Sequence, residues 1–485
     1  MKQLTRDRSF SRPIRFLQFG EGNFLRAFID WQIDLLNERA GLDAGVVIVR
    51  PIGRPEFPLL DTQGGVYTTL IRGLNEAGEP VKEYRKIECV QRELDISTMY
   101  DEYIKLAHNP DLQFVVSNTT EAGIAINDTD KYDDVPPATF PAKLTRFLHE
   151  RFVYFDAARH RGLIVLPCEL IDHNGDALKA AVKHFAKLWE LGEEFATWLD
   201  TACHFCSTLV DRIVTGYPRE EIAEIEAELG YTDKFLVTAE YFYLFVIEGP
   251  TWLGEVLKLD RANLNIKLVD DITPYKQRKV GVLNGGHTAM VPVGLLAGLE
   301  SVREAVDDAD VGDFLLKALD EEIIPALPLS REELDPFAAD VLRRFRNPYI
   351  HHRMESIALN SWSKYAARVL PQVLNYQAKN GALPKRLVLS LAATMQLYRG
   401  GVIKLADDAV NLEWFGAAWK RVAAGEWSLA EIAKQWLAHT ALWGRDLNTV
   451  PGLTEALANA LETIARDGMR SALKQLAAGT EAVAA

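Results

Sequence analysis

From Ile14 to about Ile247, short apolar, β-branched runs alternate with amphipathic segments, the pattern of a sheet with crossover helices. The expected strands are IRFLQF, GVVIVR, QFVVSN and GLIVLPC. After the first of them, Phe24, Ala27, Phe28, Trp31, Ile33 and Leu35 fall mostly at helical spacing. Strand, turn, helix and strand therefore follow one another, as in half of a nucleotide-binding unit. VYTTLIRG and EYRKIECV, separated by a turn region with Asn and Gly, predict a hairpin added to the doubly wound sheet. Beyond about Asp270 helical periodicity runs almost unbroken, with helices expected near 274–298, 301–320, 353–368, 383–398, 409–423, 428–442 and 453–476. Pro325, Pro328, Pro348, Pro371 and Pro451 punctuate them, since proline lacks the N–H a helix interior needs. The expected architecture is α/β: a Rossmann-like, doubly wound N-terminal domain over 1–270 and an all-α C-terminal domain over 271–485.

With 485 residues, 48% of them hydrophobic, both domains can build cores that need no disulfide or metal. The 68 acidic residues outnumber 54 basic ones, and a net charge of −14 offers no basic face for a phosphate backbone, so nucleic acid is excluded as a partner. Four cysteines in so long a chain make no disulfide framework, which fits a reducing compartment. The first nineteen residues are broken by charge and proline, and no window is apolar enough to span a membrane. The expectation is a cytoplasmic protein with no membrane partner, either a monomer or a small homo-oligomer.

The first strand runs into FGEGNFLRAF, where Gly20 and Gly22 supply two of the three glycines of a dinucleotide-binding turn. Glycines there let the chain turn tightly and let backbone N–H groups approach a pyrophosphate at a helix N-terminus. Gly20, Gly22, Asn23 and Phe24 are thus candidate cofactor contacts, although an ordinary strand-to-helix turn uses glycine too. The third glycine position holds Leu25. An acidic residue normally ends the second strand and holds the adenosine ribose, but GVVIVR ends in Arg50. Arginine is the kind of residue that accepts a 2′-phosphate, so NADP stays open beside NAD. QFVVSN leads into Thr119, Thr120 and Glu121, polar groups at the carboxyl end of a strand, where ligands bind in open α/β folds.

TPYKQRKVGVLNGGHTAM carries the densest chemistry. Thr273 and Pro274 make a good helix start. On an ideal helix of about 100° per residue, Lys279, Asn284 and His287 lie within an arc of roughly 140°. Gly285 and Gly286 between them each cost about 1 kcal/mol relative to alanine, which close approach of a ligand or another backbone would offset. Oxidation of a secondary alcohol needs a base, a donor for the developing alkoxide and a hydride acceptor. Lys279 can be the base where burial or neighbouring positive charge lowers its pKa, and Asn284 can donate to the oxyanion. Solvated or packing roles for all three weigh equally on the residues alone. The CHFC pair, Cys203 and Cys206, has no second CxxC or spaced histidine pair and is expected in the core. No metal ligand set is visible.

Lys279, Asn284 and His287 at this spacing resemble the catalytic pattern of the mannitol dehydrogenase family. FGEGNFLRAF, SNTTEAG, LVDRIV, RFRNPYI and ALNSWSK are similar to further segments of that family, so the resemblance covers nearly the whole chain. It implies a metal-independent, NAD-linked secondary-alcohol dehydrogenase whose site draws on residues of both domains. In it Lys279 is the general acid/base, Asn284 an oxyanion donor and His287 a substrate contact. Asn174 is implied as a second polar contact, Asp211 and Arg212 lie near the site, and Lys364 touches substrate. The chain departs from the family at Glu169 and Leu170, at Thr215, and at Ser356 where mannitol enzymes carry arginine. Those departures put mannitol in doubt and favour a sugar acid derived from a hexuronate. The rivals are a reductase of a different hexuronate, a polyol dehydrogenase, and a nucleotide-binding regulator without turnover.

Overall fold

A computed structural model describes residues 1–6, 11–53, 56–119 and 122–484. The chain forms two compact units, Met1–Asn75 with Pro80–Ile272, and Thr273–Ala485 with Glu76–Glu79.

The first unit is built on a six-stranded parallel sheet in the order Val90–Asp95, Gly45–Arg50, Ile14–Phe19, Phe114–Ser117, Ile164–Pro167, His204–Phe205. Numbered along the chain, that order is 3-2-1-4-5-6, the doubly wound dinucleotide-binding arrangement. All of Gly45–Arg50 is buried because both faces of the sheet are covered, which is why these strands read as continuous apolar runs. Alternate residues serve opposite cores. Phe16, Val46, Ile48 and Phe114 pack on the side of the helical stretch 23–40, while Leu17, Val47, Val49 and Val115 pack against Leu144, Phe147 and Leu148 of the helix Phe140–Tyr154. Phe16 and Phe114 stack at 4.4 Å across neighbouring strands.

The predicted hairpin forms, with Tyr67–Leu74 antiparallel to Pro80–Ile87, but it does not extend this sheet. It belongs to a separate four-stranded sheet with Val237–Glu240 and Val214–Gly216. The apolar run around Val90 instead starts the edge strand of the six-stranded sheet.

The second unit is helical. Its central element covers 273–296, and every residue from Gly286 to Leu295 is buried. Two helices occur where none was expected. Arg331–Phe345 runs through Pro336, and Leu370–Asn380 starts with proline in its first turn, where the missing N–H costs nothing. The expected helix over 353–368 is two, Met354–Ile357 and Ser361–Arg368, separated at Asn360 with φ of 53°. The second of these is anchored by Trp362, which is fully buried and stacks on Phe415 at 4.9 Å, and by Tyr365, whose hydroxyl donates to the Leu387 carbonyl at 2.7 Å.

Candidate active site

The carboxyl end of Ile14–Phe19 meets that of Phe114–Ser117 at the point where the strand order reverses. Gly20 there has φ of 118°, and a Cβ on it would lie 3.0 Å from the Asn118 carbonyl oxygen, so conformation and space both require glycine. Gly22 differs: its backbone is extended and a Cβ would meet nothing within 4 Å. The helical stretch it opens has no side-chain cap and no acidic residue in its first turn. An open α-carbon beside uncapped helix amides fits a pyrophosphate, which supplies the missing acceptor and complements the helix dipole. Asn23 accepts from Arg26 Nη2 at 2.7 Å, and the Phe24 ring stacks on Phe28 at 5.0 Å.

Other polar candidates in this unit are committed to structure. Arg50 is 3% exposed; its Nε donates to buried Glu93 at 2.6 Å and its Nη atoms to the carbonyls of Phe57 and Pro58. That guanidinium clamps the loop after its strand. Asn174 is 1% exposed, and its amide donates to the carbonyls of Pro167 and Glu169 and accepts from the Thr208 backbone at 2.8 Å. It knits a strand end to its neighbour, with both amide hydrogens engaged and one lone pair of its oxygen still able to accept. Thr119 donates through both backbone and hydroxyl to buried Glu169, whose carboxyl burial pushes up. Thr120 and Glu121 lie outside the described residues. Asp211 ends the strand Ser207–Asp211 and is buried. Arg212 sits 4.2 Å over the Trp31 ring and donates to the carbonyls of Glu240 and Ala27. Its Nη2 has no partner among the described residues, and burial pulls its pKa down to about 10.

In the helical unit, Lys279–Gly285 is a π-helical segment between the α-helical Thr273–Arg278 and Gly286–Leu296. Hydrogen bonds from i to i+5 stack residues five apart, whereas an α-helix turns them well away from each other. Lys279 and Asn284 are such a pair, so they sit closer than the ideal arc implied, with His287 nearly one turn further on. Gly285 is explained by close approach of another backbone, since a Cβ would lie 3.2 Å from the Arg368 carbonyl oxygen. Gly286 faces only side chains of Leu315 and Leu319 at ordinary contact distance.

Lys279 and Asn284 are half-buried, and the Asn284 side-chain amide makes no hydrogen bond among the described residues. His287 is 8% exposed, stacks on Phe345 at 3.9 Å and meets the His352 ring edge-on at 5.2 Å. Burial, then the charges of His352, Arg344 and Arg368, drive its pKa well below the usual imidazole value, so the ring is neutral. Its Nε2 is buried without a partner among the described residues. Lys364 donates to the Ile357 carbonyl at 2.9 Å, and burial and Arg368 lower its pKa. The sequence reading missed Arg368 and His352; the signal for the first was its position four residues after Lys364, on the same helix face. Cys203 and Cys206 are buried free thiols pushed up to about 12 by burial, in keeping with core packing. Among the described residues no group of three or more His, Cys, Asp or Glu stands ready to hold a metal ion.

A doubly wound unit with an open glycine turn, and a helical unit whose central element carries Lys279, Asn284 and His287, are the two parts of a nicotinamide-dependent oxidoreductase. The chain belongs to the mannitol dehydrogenase family: residues 14–261 match its Rossmann domain and 271–465 its C-terminal domain. It is 53% identical to the altronate oxidoreductase of Yersinia enterocolitica over 467 residues, 96% of this chain and 97% of that protein. It is 54% identical to the altronate oxidoreductase of an Escherichia coli O6:K15:H31 strain over 468 residues, with the same coverage. Among solved structures, a substrate-free D-sorbitol dehydrogenase aligns with TM-score 0.79 and 20% identity, over 97% of this chain and 100% of that one. The Pseudomonas fluorescens mannitol 2-dehydrogenase complex with NAD and D-mannitol aligns with TM-score 0.67 and 22% identity, over 98% of this chain and 96% of that one. These last two share its fold.

Proposed function

We propose that this chain reduces D-tagaturonate to D-altronate with NADH and catalyses the reverse oxidation. The observation that carries the reading is the likeness to altronate oxidoreductases across 96% of the chain, at 53% identity. NADH, when bound, supplies the hydride, which goes to the keto carbon beside the terminal CH2OH. Gly20 and Gly22, with the uncapped helix start at Asn23, would hold its pyrophosphate. The Lys279 ammonium gives a proton to the carbonyl oxygen in reduction and takes it back in oxidation. The Asn284 amide, with no other hydrogen bond among the described residues, donates to the same oxygen as charge develops on it. Neutral His287 turns its unpartnered Nε2 to a substrate hydroxyl, which removes the cost of leaving that atom buried and unbonded.

Arg50, tied to Glu93, supplies no 2′-phosphate site, which favours NAD over NADP. No helix among the described residues is long and apolar enough to cross a membrane, and the four buried free cysteines suit the cytoplasm. The test follows consumption of reduced nicotinamide with tagaturonate, fructuronate and fructose, each with NADH and NADPH. Tagaturonate with NADH should give the highest kcat/KM, unchanged by a chelator. A preference for fructuronate or fructose would reject the substrate, and loss of turnover on chelation, restored by zinc, would reject the metal-free mechanism.

A further inference from the structure

Around His287 the helical unit collects the positive charges of Arg344 and Arg368. Arg368, the last residue of the helix Ser361–Arg368, is half-buried, and its guanidinium forms no hydrogen bond or ion pair among the described residues. Its backbone carbonyl abuts Gly285, which places it beside the segment that presents Asn284 and His287. Its charge reaches both His287 and Lys364. Lys364 and Arg368 stand one turn apart, a like-charged pair that disfavours its own helix.

A chain with 68 acidic and 54 basic side chains has carboxylates to spare, so the lack of one on Arg368 among the described residues is not a matter of composition. A basic residue at a helix C-terminus gains from the dipole, but by about 0.3–1 kcal/mol at an exposed site, which does not account for withdrawing an unpaired guanidinium from water. A carboxylate-bearing ligand does account for it, because the planar fork of arginine matches a carboxylate through two parallel hydrogen bonds.

We propose that the Arg368 guanidinium holds the substrate's carboxylate and so makes this site select a sugar acid over the corresponding polyol. The inference rests on the sugar-acid reading above and adds the residue that would enforce it. The keto group to be reduced and the carboxylate lie at opposite ends of the open chain, so the anchoring cation must be a different residue from the proton donor Lys279.

The test is calorimetric titration of the NAD-loaded enzyme with two acid and polyol pairs, altronate with altritol and mannonate with mannitol. For Arg368→Gln, affinity for the bound acid should fall about 30-fold or more, as for loss of one partner of a desolvated charge pair, while its polyol changes less than about threefold. Arg368→Lys, which keeps the charge without the fork, should lie between and serves if the glutamine variant does not fold. Mannonate bound in preference to altronate, with the Arg368→Gln loss still confined to the acid, would reject the altronate assignment and keep the anchor. Equal losses for acid and polyol, no loss for either, or wild-type enzyme that binds neither acid would overturn the proposal.

Discussion

Each unit carries a π-helical segment beside its candidate chemistry, and the two are used differently. In Arg26–Asp30, behind the glycine turn, Arg26 donates to Asn23 and to the carbonyls of Glu21 and Phe235, and the Tyr67 hydroxyl lies within hydrogen-bonding distance of the Arg26 carbonyl and Asp30. These bonds tie the segment into the sheet. In Lys279–Gly285 the Asn284 amide makes no hydrogen bond among the described residues, and just beyond it His287 Nε2 makes none either. A π segment therefore marks no function by itself. What distinguishes the second is polar groups placed in a half-buried setting and left for something else to satisfy, where each would otherwise cost about 1–3 kcal/mol.

If that distinction holds, substitutions in the second segment should act on turnover and substitutions among the committed groups of the first unit on stability. Lys279→Ala should have the largest effect, lowering kcat by about 10² to 10⁴ while NADH binding, followed by fluorescence, changes little. Asn284→Ala should lower kcat by about 10² to 10³ with little change in the melting temperature. Should either variant melt early and keep its turnover, the segment is structural and the comparison collapses. Arg50→Met leaves Glu93 buried without its partner and should cost about 3–5 kcal/mol of stability in denaturant titrations. The folded fraction should keep its ratio of NADH to NADPH efficiency, and a shift in that ratio would mean that Arg50 touches the cofactor after all.

The sheet was legible because strands covered on both faces carry unbroken apolar runs, so GVVIVR and IRFLQF were bounded to the residue. The hairpin was legible as a pair but not by its sheet, since alternation reports local pairing and says nothing of which neighbour lies at its edge. Arg331–Phe345 was hidden by Pro336, a residue that usually ends a helix but here sits inside one. Asn174 and Arg50 have side chains suited to ligand contacts, and the sequence does not disclose that they also donate to the carbonyls of Pro167 and Glu169 and of Phe57 and Pro58. Spacing brought Lys279, Asn284 and His287 to attention, but ideal α geometry concealed the π segment that draws the first two together. Arg368 went unseen because a lone arginine at a helix end has an ordinary explanation until its lack of a partner is known.

Asp30 is the exception among the committed groups and sets the smallest prediction. Its side chain is fully buried, one carboxyl oxygen lies 2.9 Å from the Tyr67 hydroxyl, and the other has no hydrogen-bond partner among the described residues. Tyr67 has a single proton and two acceptors, the Arg26 carbonyl at 2.8 Å being the second, so both contacts are satisfied together only when Asp30 carries a proton. Burial raises the Asp30 pKa to about 7, against the lesser opposing effects of Tyr67, Arg26 and Gln18, with Asp34 adding to the rise. A folded pKa above the unfolded value means that folding takes up a proton. The stabilisation is complete below the unfolded value, near 3.8, and is lost as pH rises through about 7. Asp30→Asn does not titrate, so it should melt higher than wild type at pH 8, by about 2–4 °C for each 1 kcal/mol gained. That advantage should shrink steadily as pH is lowered toward 4. Taking the difference between the two proteins removes every other titrating group they share, His287 and Glu322 included. A difference in melting temperature that stays constant from pH 4 to 8 would show that Asp30 is ionised throughout, and that this segment, like the one bearing Lys279, holds a charge for use.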